Sequence, residues 1–350
     1  MIDLFEHIKI DGHEQVLFCS DSSSGLQAIV AIHSTKRGPS LGGCRMWPYR
    51  SFDAALSDVL RLSRAMTYKA AVSDLPLGGG KSVIWGDPRT AKSKGLIAAF
   101  AKHIETLGGR YLVAEDVGIG LQDIKEIQKF TSHVAGFPIE AGGSGDPSPA
   151  TAYGVFVGMR ACLEEIYGDP SFNGKRIAIQ GFGKVGSALA GLLHKEGARL
   201  YISDMDPEKV AIGCRKYGAD PIHGHEIYRV DCDVFAPCAL GGIINERTVP
   251  SLSCQIIAGA ANNQLENMEV TSALEERKIL YAPDYVMNAG GLINISEELH
   301  EYNQDRATQK VAEIYGRIKV VFGMAKEAGI STAAAANRLA EKNLSEGNDA

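Results

Sequence analysis

Long apolar runs are missing from this 350-residue sequence. No run approaches the roughly 18 to 20 apolar residues that a helix needs to cross a membrane. The N-terminal stretch MIDLFEHIKIDGHEQ carries acidic residues from Asp3 onward and lacks an uninterrupted apolar segment, so it does not resemble a signal peptide. We therefore expect a cytoplasmic protein with no membrane partner.

Cysteine is scarce, and basic residues are not concentrated anywhere along the chain. Seven cysteines are scattered without CxxC spacing, which argues against a disulfide framework and a structural zinc site, so we expect no metal. Cys44 and Cys238 lie beside motifs of interest, and we interpret them as small buried apolar side chains rather than nucleophiles. The net charge of −6, without a long basic run, argues against a nucleic acid partner.

Glycine, by contrast, is abundant, with 39 residues, three of which stand directly before Lys81 in LPLGGGKSVIW. A P-loop would explain a glycine run before a lysine. That motif, however, needs a glycine where this chain has Leu75, and a helix where Val83 and the apolar residues after it indicate a strand. We interpret the glycines instead as removing side chains so that Lys81 can reach a substrate close to the backbone.

The length of the chain favours two domains. The composition shifts to glycine, serine and proline around residues 141–154, which is typical of a hinge or an interdomain crossing. We predict a first domain over residues 1–140 and a second over residues 141–325.

The most informative segment of the second half is GFGKVG, residues 181–186. It follows a short apolar strand and opens a helix, and Asp204 ends the next strand, as in the βαβ unit that binds dinucleotides. In that unit Gly181 would permit the tight turn, Gly183 would let the backbone approach the pyrophosphate and Gly186 would let the helix pack closely. The alternative is an ordinary tight turn with a surface aspartate.

The surroundings of this motif indicate NAD as the cofactor. The pyrophosphate would meet the helix N-terminus at Lys184 and Val185, where unpaired N–H groups favour anions. Asp204 is suited to accept hydrogen bonds from the ribose hydroxyls, and with no arginine directly after it a 2′-phosphate would be disfavoured. Later strands continue a parallel sheet, and further cofactor contacts are expected where they end, as at Ala239 and Asn262.

The first domain carries three ionisable residues that we place just outside predicted elements. Lys69 follows a helix over residues 51–66, whose end also presents Met66, while Lys81 follows the glycines and Asp116 ends a strand. Solvated surface positions would be the ordinary explanation for both lysines, but the apolar residues around MTYK favour a lysine drawn into a cleft. Desolvation and mutual repulsion lower the pKa of an amine, so one such lysine could hold an anion while the other acts as a base.

These motifs belong to a longer ordered series. From about residue 38 to residue 299 the chain carries PSLGGCRMWPY, LRLSRAMTYKAA, LPLGGGKSVI, AEDVG, GDPSPATAYGV, GFGKVG, APCALGG, AGAANNQL and LYAPDYVMNAGGLIN. The series resembles the glutamate/leucine/phenylalanine/valine dehydrogenase family, and within it most of all the leucine-type enzymes. The resemblance implies an α/β fold of two domains, an N-terminal substrate domain and a Rossmann-type domain with a cleft between them. It also implies that the C-terminal helix, residues 326–350, packs back on the first domain.

The resemblance implies an NAD-dependent enzyme that reversibly deaminates an L-amino acid to its 2-oxo acid and ammonia. Carried over motif by motif, Lys69 would bind the substrate carboxylate, Lys81 would be the catalytic base and Asp116 would assist proton transfer. Gly42 and Gly43 would border the substrate with backbone alone.

On the cofactor side, Thr151 would meet the nicotinamide carboxamide, and Asn262 would lie near both the nicotinamide and the substrate. Homo-oligomers are the rule in the family, so the resemblance also implies a homo-oligomer.

The positions that line the substrate side-chain pocket in the family are here Leu41, Ala114, Leu292 and Ile295. All are aliphatic, and no lysine or serine is placed to bind a second carboxylate, which argues against glutamate. Alanine before the acidic pair is typical of leucine-type enzymes, whereas leucine at position 292 is typical of the phenylalanine and tryptophan types. A branched-chain substrate, leucine with valine and isoleucine, is therefore favoured. An aromatic amino acid is the alternative, and a non-catalytic NAD-binding sensor is a remote one.

Overall fold

The computed structural model describes residues 12–346 of the chain. The first eleven residues, most of the stretch compared above with a signal peptide, and the last four, the end of the expected C-terminal helix, lie outside the described residues. The chain divides into two compact units. One contains the residues up to Asp146, Ile295–Tyr302 and the residues from Ala340, and the other contains Pro147–Asn294 and Asn303–Leu339.

The first unit is built on a five-stranded sheet. Its strands are β1 (Gln15–Asp21), β2 (Leu26–Ser34), β3 (Ser40–Trp47), β4 (Gly78–Trp85) and β5 (Tyr111–Glu115). Their order in the sheet is β1-β2-β4-β3-β5, with β2 antiparallel to both β1 and β4, and β3 parallel to both β4 and β5. The strand that carries Lys81 and the strand that ends before Asp116 are therefore separated only by β3.

Helices cover both faces of this sheet. They are α1 (Phe52–Val72), α2 (Lys94–Glu105) and α3 (Leu121–Ile127). Alternate residues of β2 point to opposite faces, so that Ile29 and Ala31 pack in the cluster with α1, whereas Val30 and Ile32 pack in the cluster with α2 and α3. The sheet is thus buried on both sides.

Helix α1 is longer than its sequence pattern predicted. Ser51 caps its first turn as expected, since its hydroxyl accepts a hydrogen bond from the backbone N–H of Ala54 at 3.1 Å. The predicted end at Met66 is wrong, because the helix continues to Val72, through a further buried stretch of small apolar residues. It stops only where Asp74 takes a positive φ of 52°.

The glycine run, residues 78–80, lies inside β4 instead of preceding it. An added Cβ along the run would meet, in order, the carbonyl oxygen of Ser34 at 1.9 Å, the backbone nitrogen of Thr67 at 2.0 Å and the ring of Tyr111 at 2.7 Å. The run is therefore required for close packing within the unit, whereas the sequence interpretation had assigned it to a substrate close to Lys81.

The second unit is built on a parallel sheet of six strands. They are β6 (Arg176–Gln180), β7 (Arg199–Ser203), β8 (Asp220–Pro221), β9 (Cys232–Pro237), β10 (Cys254–Ile257) and β11 (Leu280–Tyr281). Their order is β11-β10-β9-β6-β7-β8, which is the doubly wound Rossmann order, with the switch point between β6 and β9. The prediction of an α/β chain with a Rossmann-type second domain is confirmed.

Helices alternate with these strands and follow the last of them. They are α4 (Ser148–Tyr167), α5 (Lys184–Lys195), α6 (Pro207–Tyr217), α7 (Val270–Glu276), α8 (Asp284–Met287), α9 (Gly290–Ser296), α10 (Gln304–Ala312), α11 (Ile314–Ala328) and α12 (Thr332–Glu346). The last three of these helices are separated because the chain breaks at Glu313 and again after Gly329, whose φ is 61°, so that α12 begins at Thr332. None of the helices within residues 12–346 combines the length and apolar character that crossing a bilayer requires.

A single carboxylate ties together two distant segments of the first unit. Glu298 accepts hydrogen bonds from the backbone N–H groups of Gly136 at 2.7 Å, Phe137 at 3.2 Å and Ser144 at 2.5 Å. Bonds from backbone N–H groups to an ionised acceptor are stronger than those between neutral groups. Glu298 therefore anchors the loop that leads up to the boundary at Asp146.

Substitution Glu298→Gln tests this anchor. The amide keeps one acceptor oxygen and turns an N–H donor toward backbone N–H groups, so we expect a loss of about 1–3 kcal/mol in unfolding free energy. We also expect faster amide hydrogen exchange in residues 136–144. Glu327→Gln, at an exposed position of α11, is the matched control and should change neither quantity. Equal exchange in both variants would contradict the assigned role.

Candidate active site

A buried ion pair marks the centre of the first unit. Lys81 Nζ lies 2.5 Å from Asp116 Oδ2, and the two side chains are only 9% and 20% exposed. Lys81 lies within β4 and Lys69 within the last turn of α1, so the prediction that all three ionisable residues lie just outside elements is wrong for both lysines. Asp116 does follow β5 directly, in a turn closed by two backbone hydrogen bonds with Ile119.

The pair can form because the strand between its two members carries no side chain there. In the register of the sheet, Gly43 of β3 lies opposite Ala114 of β5. A Cβ on Gly43 would lie 3.2 Å from Lys81 Nζ and 2.8 Å from Asp116 Cβ. Gly43 therefore leaves the space in which the ammonium reaches across β3 to the carboxylate.

Gly42 serves a different neighbour. A Cβ at Gly42 would lie 1.8 Å from the carbonyl oxygen of Gly80, which is backbone and cannot move aside. Gly42 is thus required for the close packing of β3 on β4, whereas Gly43 leaves space for the Lys81 side chain.

The electrostatics of the pair favour an ionised carboxylate. Burial raises the pKa of Asp116, but the charges of Lys81 and Arg45 outweigh it, and the pKa lies below its ordinary value. Sequence reasoning missed Arg45, whose Nε lies 3.3 Å from Asp116 Oδ2. A signal was present, because Arg45 is a charged residue inside an otherwise apolar strand, two positions after Gly43 and hence on the same face.

The remaining candidates of the first unit lie on α1, β3, β5 and α9. Met66 and Lys69 are half-buried on α1, the helix that packs on β4 through Thr67. Leu41 on β3 and Ala114 on β5 are buried, as is Ile295 near the end of α9. Cys44, the neighbour of Gly43, is fully buried, and burial raises the pKa of its thiol to about 12, so it is protonated at neutral pH.

In the second unit the GFGKVG turn has the geometry that phosphate binding requires. Gly181 has a φ of +96°, and a Cβ on Gly186 would lie 2.1 Å from the carbonyl oxygen of Gly181. Gly183 differs, because its φ is −78° and an added Cβ would meet nothing within 4 Å. Gly183 stands directly before α5, whose first turn contains Lys184 and Val185, so the turn presents free space and N–H groups to an anion.

Asp204 holds this turn from the end of the next strand. Its carboxylate accepts hydrogen bonds from the backbone N–H of Phe182 at 2.7 Å and of Asp206 at 2.9 Å. A carboxylate has about four lone-pair sites, so acceptor capacity remains for ribose hydroxyls. Ala239 flanks the same turn, since its Cβ is 2.6 Å from a Cβ built on Gly181.

The other second-unit candidates lie at helix ends and loops. Thr151, in the first turn of α4, donates a hydrogen bond to the carbonyl oxygen of Pro147 at 3.0 Å. Asn262, in the loop after β10, accepts one from Asn288 at 2.7 Å, a partner that sequence reasoning missed although it stands in the motif NAGG. Leu292 is 7% exposed on α9.

Known proteins resemble this chain over nearly its whole length. The chain matches the model of the Glu/Leu/Phe/Val dehydrogenase dimerisation domain over residues 13–133. It matches that of the glutamate/leucine/phenylalanine/valine dehydrogenases over residues 142–212 and 201–349. It is 50% identical over 343 residues to the leucine dehydrogenase of Geobacillus stearothermophilus, covering 98% of this chain and 94% of that protein.

Two further matches carry other substrate names. The phenylalanine dehydrogenase of Lysinibacillus sphaericus is 45% identical over 349 residues, covering 98% of this chain and 91% of that protein. The crystal structure of L-tryptophan dehydrogenase from Nostoc punctiforme is 43% identical, covers 98% of this chain and 99% of that chain, and has a TM-score of 0.86. The resemblance inferred from the motifs is confirmed. This chain belongs to the glutamate/leucine/phenylalanine/valine dehydrogenase family, as an amino acid dehydrogenase that acts on the CH–NH₂ group and uses NAD as its cofactor.

Proposed function

We propose that this enzyme reversibly deaminates an aliphatic L-amino acid, foremost L-leucine together with valine and isoleucine, to the 2-oxo acid and ammonia. The observation that carries the chemistry is the buried ion pair of Lys81 and Asp116 beside Gly43. The aliphatic character of Leu41 and the other candidate pocket positions supports the substrate class. We further propose a cytoplasmic homo-oligomer, with residues 1–140 binding substrate and residues 141–325 binding NAD. Of the C-terminal segment 326–350, the part from Ala340 belongs with the first unit.

Each polar group has a defined task in this proposal. Lys69 holds the substrate carboxylate by charge, which fixes Cα in place. When bound, NAD would supply the hydride acceptor that oxidation of the substrate Cα to an imine requires. Once its proton has passed to Asp116, Lys81 Nζ is a neutral amine that takes a proton from the water attacking the imine carbon and returns one to the departing ammonia. Asp116 holds Lys81, receives or returns its proton, and accepts a hydrogen bond from the substrate nitrogen.

The second unit would hold the cofactor. The turn at Gly181, Gly183 and Gly186 suits the pyrophosphate, and Asp204 suits the adenosine ribose. Thr151 would bind the nicotinamide carboxamide. Asn262, fixed by Asn288, would contact the nicotinamide and the substrate.

An aromatic amino acid is the second candidate substrate. Leucine at position 292, the type found in phenylalanine and tryptophan enzymes, favours it, and relatives named for both amino acids match this chain over nearly its whole length. Pocket differences of a methylene change preference by only about 1–3 kcal/mol, or roughly 10- to 200-fold. A substrate panel therefore decides between the two.

In that panel, the protein is incubated with NAD at mildly alkaline pH and offered L-leucine, L-valine, L-isoleucine, L-phenylalanine, L-tryptophan and L-glutamate in turn, while NADH absorbance is followed. We expect kcat/KM for L-leucine to exceed that for L-phenylalanine by about tenfold or more. L-Glutamate should give no turnover. A preference for an aromatic substrate would retain the reaction and show that Leu292 decides the pocket, whereas no turnover at all would favour a non-catalytic NAD-binding sensor.

Substitution Lys81→Ala removes the group that moves protons. We expect kcat to fall about 10²- to 10⁴-fold, the usual contribution of general acid–base catalysis. NAD affinity, measured by calorimetry, should stay unchanged. Lys92→Ala is the matched control, because Lys92 also pairs with an aspartate, Asp123, at 2.8 Å in the same unit. Loss of turnover together with loss of NAD binding would indicate a structural role for Lys81.

Substitution Gly183→Ala separates cofactor binding from folding. Its Cβ would meet no protein atom within 4 Å, so the unfolding midpoint should stay within the small change expected at a helix cap. The methyl group would stand where the pyrophosphate approaches, and we expect KM for NAD to rise about tenfold, equivalent to about 1.4 kcal/mol.

Two further glycine variants serve as controls for the measurements on Gly183→Ala. Gly186→Ala should lower the unfolding midpoint, because its Cβ would lie 2.1 Å from a backbone oxygen. Gly316→Ala, at an exposed position of α11 with nothing within 4 Å, should leave KM for NAD unchanged. An unchanged KM in Gly183→Ala would show that the cofactor does not approach this turn.

A further inference from the structure

A row of alternating charges leads away from the ion pair of the first unit. Asp116 Oδ2 contacts Lys81 Nζ at 2.5 Å and Arg45 Nε at 3.3 Å, so two cations share one carboxylate oxygen. Through Nη1, Arg45 contacts Asp58 Oδ2 at 2.9 Å. The charges thus alternate in sign over four side chains, from β4 across β3 to helix α1.

Asp58 is itself held from two sides. The hydroxyl of Tyr49 donates a hydrogen bond to Asp58 Oδ2 at 2.7 Å, and Arg61 donates one to Oδ1 at 2.9 Å. Burial raises the pKa of Asp58, but the Tyr49 hydrogen bond and the Arg45 charge outweigh it, and the pKa is lowered. Asp58 therefore stays ionised and gives Arg45 a fixed anchor on α1.

We propose that Arg45 is a positioning residue that orients the Asp116 carboxylate against Lys81, and that Asp58 fixes Arg45 for this purpose. The proposal rests on the roles proposed for Lys81 and Asp116. Arg45 presents a different nitrogen to each carboxylate, a hydrogen bond from Nη1 to Asp58 and a charge contact from Nε to Asp116, which a single ammonium cannot reproduce. Arg45 acts through Asp116 and needs no contact with substrate.

The charges also set the direction of a pH effect. Other titratable side chains that act on Asp116 are Cys44, Tyr49 and Tyr111; burial is the largest influence on each and raises its pKa, so all three are neutral in the working range. Removing the charge of Arg45 leaves Asp116 with Lys81 and favours the protonated form of the pair. Activity that requires the unprotonated form is then lost at a higher pH than before.

The test compares the pH dependence of kcat/KM in Arg45→Gln, Arg45→Lys and Asp58→Asn, using the preferred amino acid of the panel. For Arg45→Gln we expect the acid limb to move to higher pH by about one unit, since a charge at this distance shifts a pKa by about 1 to 3 units, and kcat to fall about tenfold or more. Arg45→Lys should restore most of the acid limb, because it keeps the charge, but not all of kcat, because a single ammonium cannot reproduce both contacts.

Asp58→Asn should act in the opposite direction on the pH profile. It removes the anion that competes for Arg45, so the acid limb should move to lower pH, while kcat falls because Arg45 loses its anchor. General loosening of the unit would instead move both profiles in the same direction. Unchanged limbs, or shifts of the same sign in Arg45→Gln and Asp58→Asn, would overturn the proposal.

Lys81→Ala, measured beside these variants, distinguishes a failure of the proposed chemistry from a failure of the role proposed for Arg45. Turnover that persists in Lys81→Ala would refute the proposed chemistry of the pair. An inactive Lys81→Ala together with an unshifted Arg45→Gln would refute the role of Arg45 alone. If Arg45→Gln fails to fold, the same decision rests on Arg45→Lys and Asp58→Asn, whose predicted kcat losses and pH shifts differ.

Discussion

The first unit is organised around one requirement, that a buried ammonium must have an anionic partner. An isolated charge in this position would cost several kcal/mol, about the range measured when one member of a buried pair is removed. Lys81 meets the requirement by reaching over β3 to Asp116, which demands a strand without a side chain at Gly43. That in turn requires β3 to lie between β4 and β5, so the sheet order, the glycine and the ion pair depend on one another.

Close backbone approach has a similar part in the second unit. The turn at Gly181 brings the start of α5 within contact of β6, and the Asp204 carboxylate binds the N–H of Phe182 inside that turn. One aspartate thereby fixes the shape of the turn and retains lone pairs for a further donor. Both units thus place a carboxylate at a strand end beside a glycine whose missing Cβ leaves space, for the Lys81 side chain in one unit and, in the proposed function, for a phosphate in the other.

Local patterns in the sequence predicted the second unit better than the first. The strand, GFGKVG turn, helix and Asp204 follow one another within about thirty residues, which is the usual length of a βαβ unit, so their contacts are implied by spacing. The site of the first unit joins Arg45 and Lys81, from two strands, to Asp116, which follows a third, and the order of these strands in the sheet differs from their order in the chain. Periodicity indicates that a strand exists but not its neighbour, and for this reason sequence reasoning missed Arg45 and Asp58 and did not predict the packing contacts of the glycine run.

For this chain the reaction is identified more precisely than the substrate. In the proposed mechanism, proton transfer needs charges at set distances, and removing one member of a buried pair such as Lys81 and Asp116 is costly. In the same proposal the side chain of the substrate meets apolar surface, where exchanging one aliphatic residue for another changes preference by about 1–3 kcal/mol. Relatives named for leucine, phenylalanine and tryptophan consequently resemble this chain at 50%, 45% and 43% identity, a range too narrow to separate them. In the function proposed for this chain, discrimination between these substrates rests on a few pocket positions such as Leu292, which is 7% exposed on α9.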